Sequence, residues 1–279
     1  MASALFSRIG PLLLAGLLVV TTGCATRAHN PDDPFEGYNR AMFTFNENVD
    51  KALLKPVAQG YEKVTPQFVR TGVGNVFSNV EDVWIGLNNL LQGKVGDGMS
   101  DLMRFAMNST FGLFGILDIA SEAGLQKNDE DFGQTLAVWG VGEGPFVVLP
   151  LLGPRTTRDA VAMPADMYGT GLSYVDHVPT RNSLIALRLV HGRSILLRAE
   201  RAVDDAAIDR YVFVRDAYLQ QRRYKVHDGN PPMEYEDFDV SGLSSKPLLY
   251  QTFPDALALA ALSDVEMTVF AHPDALAGR

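Results

Sequence analysis

Apolar residues in this chain recur at helical rather than strand spacing over most of its length. Tyr38, Met42, Phe45 and Val49 fall three or four apart, which predicts a helix from near Glu36, after Pro34, with one buried stripe. Thr65-Pro66 predicts the next start, with Thr65 as cap and Pro66 at the first helical position. Phe68, Val69, Val73, Val76 and Phe77 follow at helical spacing, and Asn79 is placed to cap a further helix through Trp84, Leu87 and Leu91 that ends at Gly93. Residues 95–110 read as a helix with Met99, Leu102, Met103, Ala106 and Met107 inward. A short helix is expected over Asp131–Trp139. Another, capped by Thr157, runs to Met163 and is checked by Pro164. Thr180–Ala202 and Asp204–Arg223 read as two long amphipathic helices, the second with Ala207, Ile208, Tyr211, Val214, Tyr218 and Leu219 on one side.

Between these helices, Gly140–Pro154 crowds Gly140, Gly142, Gly144 and Gly153 with Pro145, Pro150 and Pro154 among hydrophobics. No regular helix tolerates that density, so an apolar loop is expected. Period-two alternation is rare and no hairpin signal of the Asn-Gly type occurs, so the fold class is all-α. Phe111–Ile119 and Phe146–Leu152 are nearly unbroken apolar runs, too short to span a bilayer. Each reads as a core segment or as one that dips into a leaflet, the core reading being preferred. After Tyr224 the character changes. Residues 226–247 mix acids, Pro, Gly and Ser, and Leu248–Val265 has some helical spacing that could dock back on the body.

The N-terminus changes the picture most. Arg8 precedes an apolar run from Ile9 to Val20, and then comes Thr21-Thr22-Gly23-Cys24-Ala25. A charged start, a short apolar core and a small-residue exit make a secretory signal peptide over residues 1–23. The Gly-Cys-Ala junction resembles a bacterial lipoprotein box, in which the cysteine becomes the acylated mature N-terminus. This accounts for Cys24, the only cysteine of the chain. Several acyl chains on one residue give stable anchoring, where one chain is marginal. The alternative is an ordinary signal peptide with a chance cysteine. Residues 24–33 then form a polar tether. By analogy with lipoprotein sorting, the absence of Asp at position 25 favours the outer membrane.

Removing residues 1–23 from the 279 leaves 256, and the formal charge moves from −9 to −10 because Arg8 is the only charge lost. An acidic chain lacks the positive field that draws nucleic-acid backbones, so no nucleic-acid partner is expected. With Cys24 acylated no disulfide is possible, and packing alone must hold the fold. The chain carries no Gly-x-Ser-x-Gly elbow for a lipase, and its five histidines are scattered. It has no His-Glu-x-x-His pattern or cysteine ligand set, so neither a metal nor another cofactor is expected. Gly140-Val-Gly-Glu-Gly144 follows no strand and continues into no dinucleotide fingerprint. An enzyme is not expected.

Four segments together resemble the MlaA (VacJ) family of outer-membrane lipoproteins. They are Asp33-Pro-Phe-Glu-Gly-Tyr-Asn-Arg40 with Met42, Phe45 and Asn46; Arg104-Phe-Ala-Met-Asn-Ser-Thr-Phe-Gly112 running into Gly115-Ile-Leu-Asp118; Asp131-Phe-Gly-Gln-Thr-Leu136 with Trp139-Gly-Val-Gly142, Gly144-Pro145, Leu149-Pro150 and Arg158-Asp159; and Arg215-Asp-Ala-Tyr-Leu-Gln220. The resemblance covers about residues 33–223, and Glu47 departs from it where relatives often carry a more apolar residue. It implies a ring-like bundle of amphipathic helices over residues 34–225 in the periplasmic leaflet of the outer membrane, beside trimeric porins, followed by a C-terminal extension over 226–279. It implies a polar channel that takes stray phospholipids from the outer leaflet and passes them to a soluble periplasmic carrier. The runner-up is a lipoprotein scaffold that binds a porin and moves nothing.

Motif residues Asp33, Pro34, Glu36, Asn39, Arg40, Arg104, Asn108, Asp118, Arg158 and Asp159 carry the resemblance. Glu36 and Arg40 lie four apart and would pair on a helix surface, worth about 0.3 kcal/mol. Arg104, Asp118, Arg158 and Asp159 are charges beside apolar runs, and buried charges are usually paired. Helix clamps are therefore the first reading for these residues and channel lining the second. Gly142, Gly144, Pro145, Phe146, Val147, Val148, Leu149 and Pro150 form a candidate gate: glycines supply backbone freedom and the apolar side chains a lip that acyl chains could wet. The alternative is a buried connecting loop.

Overall fold

Thr65 shows how this sequence divides one helix from the next. Being followed by Pro66, it is held extended (φ −102°, ψ 117°), and the chain turns there between two helices. The computed structural model of the protein describes residues 33–206 and 208–232, with side chains omitted for 201–206. The signal peptide, Cys24, the tether up to residue 32 and the C-terminal extension beyond residue 232 lie outside the described residues.

The element order is α1 (Glu36–Val49), a π-helical turn (Asp50–Leu54), α2 (Lys55–Val64), α3 (Gln67–Leu91), α4 (Val95–Thr110), α5 (Ile119–Glu122), α6 (Phe132–Val138), β1 (Phe146–Leu149), β2 (Gly153–Thr156), α7 (Thr157–Gly169), a 3-10 turn (Leu172–Tyr174), α8 (Val178–Ala206) and α9 (Arg210–Val226). The all-α class holds. The largest packing pair is α3 on α4, followed by α2 on α8 and α6 on α7.

Several expectations are corrected. The Gly/Pro segment is not wholly a loop: β1 and β2 form an antiparallel hairpin pairing Phe146 with Thr156 and Leu149 with Gly153. Its three-residue connection places Leu151 at φ 63°, and Gly153, the first residue of β2, lies at φ 74°. The connection is a longer hairpin loop rather than the two-residue Asn-Gly kind. The alternation in β1 is one of burial, not of polarity, so it left no period-two pattern in the sequence. Asn79 caps nothing. α3 runs unbroken through it, and its buried Nδ2 donates to Ser109 Oγ at 2.9 Å. Thr65 ends α2, and Pro66 takes the cap position of α3. The cap of α7 is Thr156 rather than Thr157, and α7 continues through Pro164 to Gly169, where packing against α6 overrides the proline. The cap of α9 is Asp209, whose carboxylate accepts from Val212 N, and Ile208 is fully exposed. Asp33, expected at the end of the tether, is fully buried.

The deepest correction concerns which face of each helix is inside. In α4 the buried residues are Gly98, Asp101, Arg104 and Asn108, while Met99 and Met103 are 55% and 53% exposed. In α1 the buried positions are Asn39 and Asn46, and Tyr38 and Phe45 face outward. Phe68, Val69, Leu87 and Leu91 of α3 are exposed too. The Phe111–Ile119 run is not core: Phe111, Leu113, Phe114, Ile116 and Leu117 all lie on the surface. Conventional apolar packing is found at the hairpin, where Phe146 and Val148 pack with Tyr211 and Tyr218, and around Phe77 of α3, which packs with Val73, Leu172, Leu184 and Leu187. Among the described residues, no helix is long and apolar enough to cross a membrane.

Candidate functional site: a charged interior behind apolar helix faces

Close helix approach creates the polar interior. A Cβ on Gly98 would lie 2.8 Å from the Gly86 carbonyl oxygen, so glycines at both positions let the backbones of α3 and α4 meet. Short polar side chains then bridge the pair. Asn89 donates to Asp101 at 2.8 Å, and Asn128 donates to the same carboxylate at 3.1 Å. Arg104, 1% exposed, forks onto Asp118 at 3.1 and 3.2 Å and pairs with Asp82 at 3.4 Å. Lys127 holds the other oxygen of Asp82 at 2.5 Å. Asn108 donates to Asp118 at 3.0 Å and accepts from Ala120 N at 2.9 Å. Arg104, Asn108 and Asp118 thus clamp α4 to the start of α5. Asp118 caps that helix, and the hydrogen bonds it accepts hold its carboxyl below the usual range despite partial burial.

A second clamp fixes the hairpin to α1. Asn39 Nδ2 donates to the Phe146 carbonyl at 3.1 Å, and Asn39 Oδ1 accepts from Val148 N at 2.8 Å. Seven residues on, Asn46 repeats the arrangement with the Leu149 carbonyl (2.9 Å) and Leu151 N (2.7 Å). These amides act as a substitute strand along β1. Asp33 accepts from Asn39 at 2.8 Å, from the Tyr211 hydroxyl and from Arg215 at 3.4 Å, joining the segment before α1 to α9. Glu36 pairs with Arg40 at 2.8 Å, and Arg40 reaches Asp209 at 2.9 Å. Pro34 is exposed. Glu47, the departure from the family pattern, bonds Lys51 and Arg210 at 3.2 and 3.0 Å.

The third group surrounds Arg222, which sits between Asp131 and Asp159. Its Nη2 lies 2.7 Å from Asp131 and 2.9 Å from Asp159. Tyr218 donates to Asp159 at 2.7 Å, and Arg158 approaches it at 3.3 Å. Arg222 holds Asp131 well below the usual carboxylate range against the cost of burial. Beside this group is a cavity of about 170 Å³ between α3, α7, α8 and α9. Trp84, Ile85, Met163 and Ile185 supply apolar wall; Arg155, Arg188 and Arg222 supply positive charge, faced by carboxylates from α3, α7 and the segment before α6. Burial raises Glu130 to about 7 even though Gln92 and Lys94 bond it.

Of the sequence-predicted residues, Arg158 and Asp159 belong to the Arg222 group, Arg104, Asn108 and Asp118 form their own clamp, and Asp33, Asn39 and Arg40 hold α1. Within the candidate gate, Phe146 and Val148 are 1% exposed, so they are core residues rather than a lip. Val147 and Leu149 are half-buried, while Gly142, Gly144, Pro145 and Pro150 are exposed. Asp82, Asp101, Asp166 and Arg222 carry no local signal that sets them apart from surface charges. Helical phase could have grouped Asp101 with Arg104 and Asn108. Among the described residues, no three His, Cys, Asp or Glu side chains are grouped to hold a metal ion. His191, mid-helix in α8, is buried against Tyr61 and held down to about 4 by burial.

Comparison with known proteins places this architecture. The solved structure described as the structural basis for maintenance of bacterial outer membrane lipid asymmetry superposes with a TM-score of 0.60 at 34% identity, covering 70% of this chain and 98% of the other. The intermembrane phospholipid transport system lipoprotein MlaA of Escherichia coli is 35% identical over 252 residues, covering 86% of this chain and 99% of its own length. The Haemophilus influenzae protein of the same name is 31% identical over 232 residues, with coverages of 78% and 91%. The sequence profile of the MlaA lipoprotein family matches residues 31–225, and the chain belongs to that family.

Proposed function

We propose that this protein is an outer-membrane lipoprotein that offers phospholipid headgroups a polar passage out of the outer leaflet and hands the lipid to a soluble periplasmic carrier, maintaining lipid asymmetry. The observation that carries the reading is the inverted arrangement of much of α1, α3 and α4: Phe45, Phe68, Leu87, Met99 and Met103 outward and Asn39, Asn46, Asp82, Asp101 and Arg104 inward, with Phe77 and Ile85 among the buried apolar residues of α3. Outward apolar faces suit acyl chains as solvent, whereas in water such an expanse would invite association. A charged headgroup is costly to drag through hydrocarbon, and a wet, charged interior lowers that cost while the tails remain in lipid. No bond in the lipid need change, and the reading is of a transporter rather than an enzyme. The MlaA proteins of Escherichia coli and Haemophilus influenzae carry intermembrane phospholipid transport in their names, which supports the same direction.

Acylated Cys24 would hold the helices to the periplasmic face through the tether, in a ring beside a trimeric porin. The exposed stretch Gly140–Pro145 would serve as the lip of the passage, with the hairpin as its fixed base. Deleting the gene is expected to raise surface-exposed phospholipid and detergent sensitivity. A mutant whose surface stays asymmetric removes the transport reading and leaves the porin-binding scaffold. Cys24→Ser is expected to abolish palmitate labelling; continued labelling removes the anchor.

A further inference from the structure

The cavity beside Arg222 holds six carboxylates, and five of them have a cationic partner. Glu81 pairs with Arg188, Asp129 with Lys225 at 3.0 Å, Glu130 with Lys94 at 3.0 Å, and Asp131 and Asp159 with Arg222. The sixth, Asp166 on α7, is held differently. Trp84 Nε1 and Phe132 N both donate to its Oδ1 at 2.8 Å, and among the described residues no lysine, arginine or histidine lies within ion-pair distance. Both of these hydrogen bonds fall on Oδ1 and neither on Oδ2. An ionised carboxylate in a partly apolar wall is costly unless a proton or a cation neutralises it.

We propose that Asp166 gives the cavity a preference among headgroups: Oδ2 accepts the ammonium of an amino-phospholipid. The inference rests on the transport reading and adds the class of lipid. A headgroup ending in a primary ammonium completes the charge balance at Asp166; one ending in hydroxyls leaves it uncompensated. The groups facing Asp166 fit this assignment. Asp131 before α6 and Arg222 on α9 act on it through charge and Trp84 on α3 through a hydrogen bond, while Glu81 on α3, Arg155 on β2, Asp159 on α7 and Arg188 on α8 line the same cavity. Burial and the Asp131 charge raise Asp166 to about 7, so it titrates within reach of ordinary buffers, as does neighbouring Glu130.

The test uses the full-length protein in detergent, titrated with short-chain phosphatidylethanolamine and phosphatidylglycerol and read by native mass spectrometry. At about pH 8.5 the wild-type protein is expected to bind the ethanolamine lipid roughly tenfold more tightly, the scale of one charge-assisted hydrogen bond. Asp166→Asn keeps the Oδ1 acceptor for Trp84 and Phe132. It is expected to bring the two affinities together, mainly by weakening the ethanolamine lipid. Equal affinities in the wild type, or an undiminished preference in a folded Asp166→Asn, overturn the assignment. Should the variant not fold, the wild type decides: its preference must shrink on lowering the pH to roughly 5.5, and a preference unchanged across that range overturns the proposal. If neither lipid binds at all, the transport reading itself fails; if both bind equally, only the assignment to Asp166 does.

Discussion

The α3–α4 pair and the hairpin end of the molecule are built on opposite principles. At the hairpin, Phe146 and Val148 pack against Tyr211 and Tyr218, with Phe146 and Tyr211 edge-to-face at 6.4 Å. That is ordinary burial of apolar area in an interior. Between α3 and α4 the buried residues include Asp82, Asn89, Asp101, Arg104 and Asn108, and Leu87, Leu91, Met99 and Met103 of the same helices face out, while Leu90 and Leu102 lie half-buried against Gly98 and Gly86. Two half-buried leucines offer too little apolar burial to hold that pair together in water. Close glycine contacts and a closed hydrogen-bond network must do so, as they do between helices whose surroundings are apolar. The contrast teaches that amphipathicity fixes two faces but not which one is inside.

The comparison is broken most severely by removing one member of the polar network. Arg104→Leu leaves Asp82 and Asp118 without their shared cation and is expected to cost about 3–5 kcal/mol, read as a lowered unfolding midpoint in detergent. A loss below about 1 kcal/mol would mean that the network contributes little. Phe146→Ala at the hairpin should cost about 3 kcal/mol through cavity formation, and chemical denaturation should place it just below Arg104→Leu. Asn39→Leu joins the two regimes. It strips a donor from the Phe146 carbonyl and an acceptor from Val148 N, with an expected loss of about 2 kcal/mol and faster amide exchange in β1. The smallest effect is expected on the outer face of α4. Met99→Gln with Met103→Gln should change stability by no more than about 0.5 kcal/mol per site, yet weaken partition into phospholipid vesicles. Unchanged partition would place that face away from lipid.

Much of this was legible in the sequence. The Val95–Thr110 helix was placed to the residue, the pairing of Glu36 with Arg40 followed from their four-residue spacing, and the expectation that Arg104 and Asp118 sit in paired clamps followed from the rule that buried charges are paired. The Asp131 helix was legible because its cap is local. The hairpin was not: its loop is three residues long, and its buried alternation, Phe146 and Val148 against Val147 and Leu149, is apolar at every position. Asp166 was illegible because its importance lies in what its neighbours do not supply, and those neighbours come from Trp84 and Phe132, distant in the chain.

The sequence by itself determined the helical class and the helical repeat of polar against apolar positions, because both depend on residues within a few turns of one another. The tertiary structure alone decided that the polar stripe faces inward. Helical phase is unchanged when a helix is rolled half a turn. Its orientation is set by partners tens of residues away and by whether the outer surface meets water or lipid.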